Sequence, residues 1–202
     1  MKPLSTYKTL SSASQETLYK EKGSKFFAYS FPISTEQEVK EMLLCIKKQH
    51  TSAKHYCYAW KIGVEQIQYS VNDSGEPKNS AGRPIYGQII SADLTDVLVV
   101  VVRYFGGVKL GVGGLIRAYK TAAQISLADS DIVQKTIKER LKLTFEYQYM
   151  NKVMRIVKQK KLEILDHQKN SKCTLILLVD KTEIGELKNT FKKMFFLRLN
   201  SK

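Results

Sequence analysis

Residues 95–119 read TDVLVVVVRYFGGVKLGVGGLIRAY, and the fold turns on three changes of character within them. Thr95–Tyr104 is apolar at nearly every position, which a strand tolerates only when both of its faces are covered, so the run predicts a central strand. Gly106, Gly107, Gly111, Gly113 and Gly114 then put five glycines into nine residues. From Leu115 to Ser130 a helical pattern follows, with Leu115, Ala118, Ala122, Ile125 and finally Asp129 on one stripe. Strand, glycines and helix in that order form the setting of an anion-binding loop, in which backbone amides and a helix N-terminus face a negative group. The spelling is that of no nucleotide motif: there is no G-K-[ST], and the spacing is not G-x-G-x-x-G with a following acid. The plain alternative is a tight connection whose glycines supply positive φ or touch another backbone. Five glycines exceed what a turn requires, so the stretch reads as more than a turn and less than a nucleotide motif.

Working outward, Glu16–Tyr19 and Lys25–Phe31 read as a strand pair turned at Gly23, and a helix follows from Thr35 to about Gln49. Ser34 or Thr35 is placed to cap it, with Glu38 in capping-box position if Thr35 is the cap, and Val39, Leu43 and Ile46 form its apolar face. His55–Ile62 and Gln66–Val71 read as strands broken at Gly63. NDSGEPKNSAGRP, residues 72–84, has no apolar period and many turn formers, so it reads as a loop, followed by a short helix from about Pro84 to Ala92. This unit, residues 1–134, is expected to be an α+β layer of helices against one sheet.

Residues 135–202 carry a pattern of their own: strand Leu141–Tyr149, helix Asn151–Lys161, strands Leu162–His167 and Lys172–Val179, helix Glu183–Phe195 and strand Phe196–Leu199. The order is βαββαβ, that of a ferredoxin-like unit. Leu141, Leu143, Phe145, Tyr147 and Tyr149 alternate on its first strand, and Leu187, Thr190, Phe191 and Met194 share one helical stripe. The fold class expected is therefore α+β, an N-terminal α+β domain followed by a ferredoxin-like domain.

The 33 basic and 19 acidic residues give a net charge of +14. Nucleic acid or the ribosome is the natural polyanion for such a chain. A compositional lysine bias is the competing account, since lysine outnumbers arginine 27 to 6, and lysine is a point charge suited to loose phosphate attraction. The segment from Glu139 onward holds 15 basic and 7 acidic residues, a net +8. Its helices expose rows of positive charge, Lys152, Arg155, Lys158 and Lys161 on one and Lys188, Lys192 and Lys193 on the other, as an RNA-facing domain would. Val97–Val102, the longest aliphatic run, is far shorter than the roughly 20 residues that span a bilayer. The N-terminus has no signal-peptide apolar core, so a cytoplasmic protein with no membrane partner is expected.

Three widely spaced cysteines, Cys45, Cys57 and Cys173, form no C-x-x-C pair. His50, His55 and Cys57 match no structural zinc spacing and read as packing or hydrogen-bonding residues, and neither metal nor cofactor is expected. Tyr56, Tyr58 and Trp60 share a strand face that suits core packing better than base stacking. The candidate chemistry lies in Asp73 and Glu76 with Arg83, Arg103 and Arg117. Paired carboxylates can exchange protons and an arginine can hold a phosphate. Asp73 also reads as a turn acid, however, and Glu76 as a carboxylate bracing two loops against Arg103 or Arg117. No nucleophile with an adjacent base appears, so no catalytic residue is assigned.

SVNDSGEPKNSAGRP (70–84) followed by the 95–119 stretch closely resembles the double signature of the IMPACT family, and GSKFFA (23–28) and AKHYCYAW (53–60) look like two further family blocks. The resemblance runs from about Tyr19 to Tyr119. It implies an N-terminal domain like the second domain of a small-subunit ribosomal protein, a C-terminal ferredoxin-like domain similar to that of elongation factor G, and a role in translation. Asn79-Ser80 stands where Gly-Thr is commoner, and Val112 where Thr is usual. Eukaryotic relatives bind a ribosome-associated activator of an amino-acid-starvation kinase, a partner not carried over to this sequence. The matched positions form the candidate ligand or partner loops: Asp73, Gly75, Glu76, Pro77, Ala81, Gly82, Arg83 and Pro84 in the first, with Arg103, Tyr104, Gly106, Gly107, Lys109, Gly111, Gly113, Gly114 and Arg117 in and beside the second. The expectation is a non-catalytic, translation-associated protein that binds nucleic acid or the ribosome, with a translation-associated protein as a further candidate partner. The alternatives are an enzyme acting on a phosphorylated or otherwise anionic small molecule, with Asp73, Glu76 and Arg103 in its site, and a protein-interaction adaptor.

Overall fold

The computed structural model describes residues 5–169 and 172–200. Its organising element is β6, Val97–Tyr104, the middle strand of a five-stranded sheet ordered β2-β3-β6-β4-β5. Here β2 is Thr17–Glu21, β3 Ser24–Pro32, β4 His55–Ile62 and β5 Gln68–Asn72, and all neighbours run antiparallel. Strand alternation sends Val97, Val99 and Val101 to one face, against Ile85 and Ile89 of α2 (Gly82–Ser91) and Leu115, Ala118, Tyr119 and Ala122 of α3 (Gly111–Ala128). Leu98, Val100 and Val102 go to the other, against Val39 and Ile46 of α1 (Glu36–Gln49). All six are fully buried. At about 1.5–3 kcal/mol per buried aliphatic side chain, this one strand carries a large share of the unit's hydrophobic stabilisation.

The helix starts follow local chemistry. Thr35 Oγ1 accepts the Glu38 N–H at 3.2 Å, so that of the two expected residues Thr35 caps α1, while Glu38 Oε2 reaches back one residue further, to the Ser34 N–H. Helix α2 starts at Gly82, two residues before the expected Pro84, which occupies a first-turn position where its missing N–H costs nothing. Helix α3 starts at Gly111 rather than Leu115, so three of the five glycines lie in its first turn. Ile125, expected on its buried stripe, is 37% exposed, and the face instead runs through Tyr119, Ala123, Ser126 and Leu127.

Two strands without a sequence signal, β1 (Thr6–Leu10) and β7 (Ile132–Thr136), form a two-stranded sheet. The chain divides into two compact units, Tyr7–Lys135 and Thr136–Lys202 with Met1–Thr6. In the second, β8 (Lys138–Phe145), α4 (Met150–Gln159), β9 (Glu163–Lys169), β10 (Cys173–Asp180), α5 (Ile184–Lys192) and β11 (Leu197–Asn200) run in the expected β-α-β-β-α-β order. Its antiparallel sheet is ordered β11-β8-β10-β9. Leu141, Leu143 and Phe145 meet Leu175, Leu177, Val153, Val157, Leu187 and Phe191 in one core. The first strand is shorter than its alternation suggested: it stops at Phe145, a single 3-10 turn covers Tyr147–Tyr149, and Tyr147 is exposed rather than buried. Among the described residues, no helix is long and apolar enough to cross a membrane.

Candidate functional site

The loop between β5 and α2 is assembled around Asp73. Its Oδ2 accepts the Asn79 N–H at 2.8 Å, and its Oδ1 accepts those of Ala81 and Gly82 at 3.0 and 2.8 Å. One carboxylate thus folds the loop back on itself and caps α2, whose N-cap residue, Ala81, has no side-chain acceptor to offer. Ser74, Gly75 and Asn79 turn the chain through positive φ. The Ser74 Oγ accepts the Tyr56 N–H at 3.0 Å, and His55 Nδ1 lies 2.9 Å from the Ser74 carbonyl, which makes that nitrogen the protonated one. The Cys57 thiol donates to the Asp73 carbonyl at 3.0 Å, and burial pushes its pKa up to about 12. Gly82 packs on the backbone of Asn72, where a Cβ would come within 2.7 Å of the amide nitrogen.

Glu76 points inward and ties this loop to the glycine stretch. Its Oε1 accepts Arg103 Nη1 at 2.7 Å and the Tyr119 hydroxyl at 2.8 Å, with the Arg103 and Glu76 side chains only 7% and 4% exposed. Burial raises the Tyr119 phenol well above its usual range, so it stays a donor. Ser24 Oγ accepts the Gly106 N–H at 3.2 Å and lies 3.5 Å from Arg103 Nη2. The guanidinium also rests over Phe26 and Phe105, 5.6 and 5.7 Å from the ring centroids. Of its nitrogens, Nε has no hydrogen-bond partner among the described residues. Strands β3 and β6, helix α3 and both loops therefore meet at one buried ion pair.

The glycines divide by cause. Gly106 lies against Gly23, where a Cβ would sit 1.8 Å from the carbonyl carbon, so no side chain fits there. Gly107 and Gly111 hold φ of +90° and +67°. Gly114 is near Leu110 Cβ. Gly113 has neither positive φ nor an atom within 4 Å of where its Cβ would be. Around it the surface is open: Phe105, Val108, Val112 and Ile116 are exposed apolar side chains, and Lys109 and Arg117 are exposed cations.

The sequence-derived residues are thus only partly brought together. Asp73, Glu76, Ala81, Gly82, Arg103 and Gly106 share one hydrogen-bonded framework, with Gly75 beside His55 and the Pro77 carbonyl accepting Ser80 N–H and Oγ–H. Arg83 is exposed and Pro84 half-buried in the first turn of α2, outside that framework. Tyr104 faces the other side of the sheet, where its hydroxyl meets His50 Nδ1 at 3.1 Å. There, Tyr29 donates to Glu16 and accepts from His50 Nε2, and Tyr104 then donates to Nδ1. Burial pushes the His50 imidazole below its ordinary value against the pull of Glu16. Phe27, His50, Tyr104, Phe105, Lys25 and Gly23 line a pocket of about 310 Å³ at this place. Tyr56 and Tyr58 pack beside the buried Trp60 in the α1-side core. His50, His55 and Cys57 are each used in separate hydrogen bonds, and no group of three metal-ligating side chains occurs among the described residues. Ser24, Ser74 and Tyr119 are framework residues that lie inside the quoted sequence blocks but are not singled out there, whereas His55 reads from the sequence as a packing or hydrogen-bonding residue.

In the second unit, Lys152, Arg155, Lys158, Lys161, Lys192 and Lys193 are exposed and Lys188 is half-buried. Lys160 pairs with Glu186 at 2.9 Å and Lys138 with Glu163 at 3.2 Å, both at the surface.

Fold and site together define a small two-unit α/β protein whose first unit displays a buttressed glycine surface. Residues 22–127 match the Impact N-terminal domain, and the chain belongs to the IMPACT family. It is 37% identical over 150 residues to the IMPACT family member YvyE of Bacillus subtilis, covering 74% of this chain and 69% of that one. The IMPACT family member of Haemophilus influenzae is 32% identical over 168 residues, 81% and 80% of the two chains. The crystal structure of a hypothetical protein shares the fold, with a TM-score of 0.80 over 98% of each chain at 23% identity.

Proposed function

We propose that this chain is a translation-associated regulatory protein that binds nucleic acid or the ribosome and performs no catalysis. The observation that carries the reading is where the reactive groups are used. Glu76 and Arg103 neutralise each other in the interior, Asp73 is taken up by three backbone amides, and the Cys57 thiol is held far from its thiolate. What faces solvent is suited to binding in each unit separately: in the first, the open backbone at Gly113 with the cations Lys109 and Arg117; in the second, the exposed basic side chains of α4 and α5. The second unit is read as ferredoxin-like and the first as like the second domain of a small-subunit ribosomal protein. Translation comes from the family resemblance. The exposed apolar rim of Phe105, Val108, Val112 and Ile116 favours a second reading, in which the same loop grips a translation-associated protein.

Co-sedimentation with ribosomes across a salt series tests this. Wild type is expected to pellet with ribosomes, and binding should weaken as salt rises. Gly113→Val, whose Cβ meets no neighbouring atom within 4 Å, should fold and lose the salt-resistant part; neutralising Lys158, Lys161, Lys192 and Lys193 should lose the salt-sensitive part. Absence of pelleting above background at low salt sinks the ribosome reading. Turnover of a phosphorylated metabolite that Asp73→Asn abolishes without unfolding would replace it with the enzyme.

A further inference from the structure

The second unit carries a cluster of aromatic rings at the edge of its core, in which Tyr149 and Phe196 are half-buried against the core and Phe195 and Tyr147 project into solvent. Phe195, between α5 and β11, is 91% exposed, and Tyr147, in the 3-10 turn ahead of α4, is 66% exposed. Tyr149 and Phe196 stack with centroids 4.0 Å apart and planes 11° from parallel. Phe195 stands nearly edge-on to both, 6.2 Å from Tyr149 and 5.5 Å from Phe196. Lys152 Nζ lies 5.8 and 6.0 Å from the centroids of Tyr149 and Phe196. The neighbouring chain adds exposed Lys192, Lys193 and Arg198. Glu146, the acid of the turn, is engaged by Gln148 Nε2 at 2.8 Å.

A phenylalanine left almost wholly in water gives up its burial energy, and exposed rings beside cations are the composition of a stacking platform. The charge selects a polyanion: the stretch from Glu139 carries a net +8. The open ring of Phe195 selects unpaired bases, since every base offers a π-face whereas a duplex keeps its bases stacked on one another. We infer that Phe195, backed by the stacked pair Tyr149 and Phe196, forms a stacking site for an unpaired base of single-stranded RNA, with Lys152, Lys192 and Lys193 holding the flanking phosphates. This deepens the nucleic-acid reading above and rests on it.

The test is fluorescence anisotropy of the full chain on a labelled uridine homopolymer of about 12 nucleotides, within the span of known single-strand sites, and on an RNA duplex of equal length. Phe195→Ala should weaken single-strand binding roughly 5- to 100-fold. The duplex affinity and the slope of log K against log salt should not change, and Phe195→Trp should restore binding. Converting Lys192 and Lys193 to Gln should instead reduce the salt slope by about 1.4. If Phe195→Ala binds the single strand like wild type, or loses single strand and duplex alike, the stacking site is overturned while nucleic-acid binding stands. If wild type binds neither RNA nor ribosomes, both fall. If Phe195→Ala converts a wild-type dimer to monomer with RNA binding unchanged, the rings are a protein contact and the inference is wrong.

Discussion

At the scale of the residue, Glu76 is where structure outruns sequence. The spacing of the two loops left its pairing open between Arg103 and Arg117; the inward side of β6 takes Arg103, while Arg117 is exposed on α3. Tyr119, 43 residues from Glu76, and Ser24, 79 residues from Arg103, join the same cluster over distances at which no local pattern operates. Removing one partner of a buried pair strands the other charge, so Glu76→Ala and Arg103→Ala should each cost about 3–5 kcal/mol in urea unfolding, and the double variant clearly less than their sum. A fully additive double variant would mean that the pair is not coupled. The cysteines give a second prediction. Cys45 is exposed, whereas Cys57 and Cys173 are buried and the Cys57 thiol is pushed up to about 12. Iodoacetamide on the native protein should therefore label Cys45 alone by mass spectrometry; labelling of Cys57 would contradict its burial.

At the scale of the element, the apolar run of β6 was legible because both faces of that strand are covered. The first turn of α3 was not, since glycine is a poor helix former and four-residue spacing says nothing across it. Nor were β1 and β7, short strands whose partners lie at opposite ends of the first unit and which carry no apolar alternation of their own. Likewise Tyr147 continued an alternation that the backbone abandons at Phe145. The glycines can be told apart by substitution. Gly106→Ala would drive a methyl into the Gly23 backbone and should prevent soluble folding or lower stability by several kcal/mol. Gly113→Ala meets nothing and should leave stability unchanged or raise it by up to about 1 kcal/mol, read by thermal unfolding. Equal effects at the two positions would refute the assignment of Gly106 to packing and Gly113 to an open surface.

At the scale of the whole molecule, stability should depend on the His50 network. A base whose folded value lies below its unfolded one binds more protons when unfolded, so stability is fully present above the unfolded value, about 6.5, and falls as pH drops below it. Urea midpoints measured from pH 7.5 down to 5 should fall for wild type and stay flatter for His50→Gln; parallel curves would remove His50 as the cause. The same molecule uses Asp73, Glu76 and the buried Arg103 to hold two loops together, and leaves backbone, rings and lysines to solvent. The loops were recognisable from their spelling, and bracing by Glu76 was already one reading of it; that Arg103 rather than Arg117 is the partner became visible only once the sheet had brought them together. The central claim is that the glycine surface and the basic helices do the binding. It is tested most directly by hydrogen exchange of the full chain with and without saturating ribosomes. The account predicts added protection confined to residues 105–116, 147–161 and 188–196; unchanged exchange in all three segments, with protection elsewhere, would contradict it.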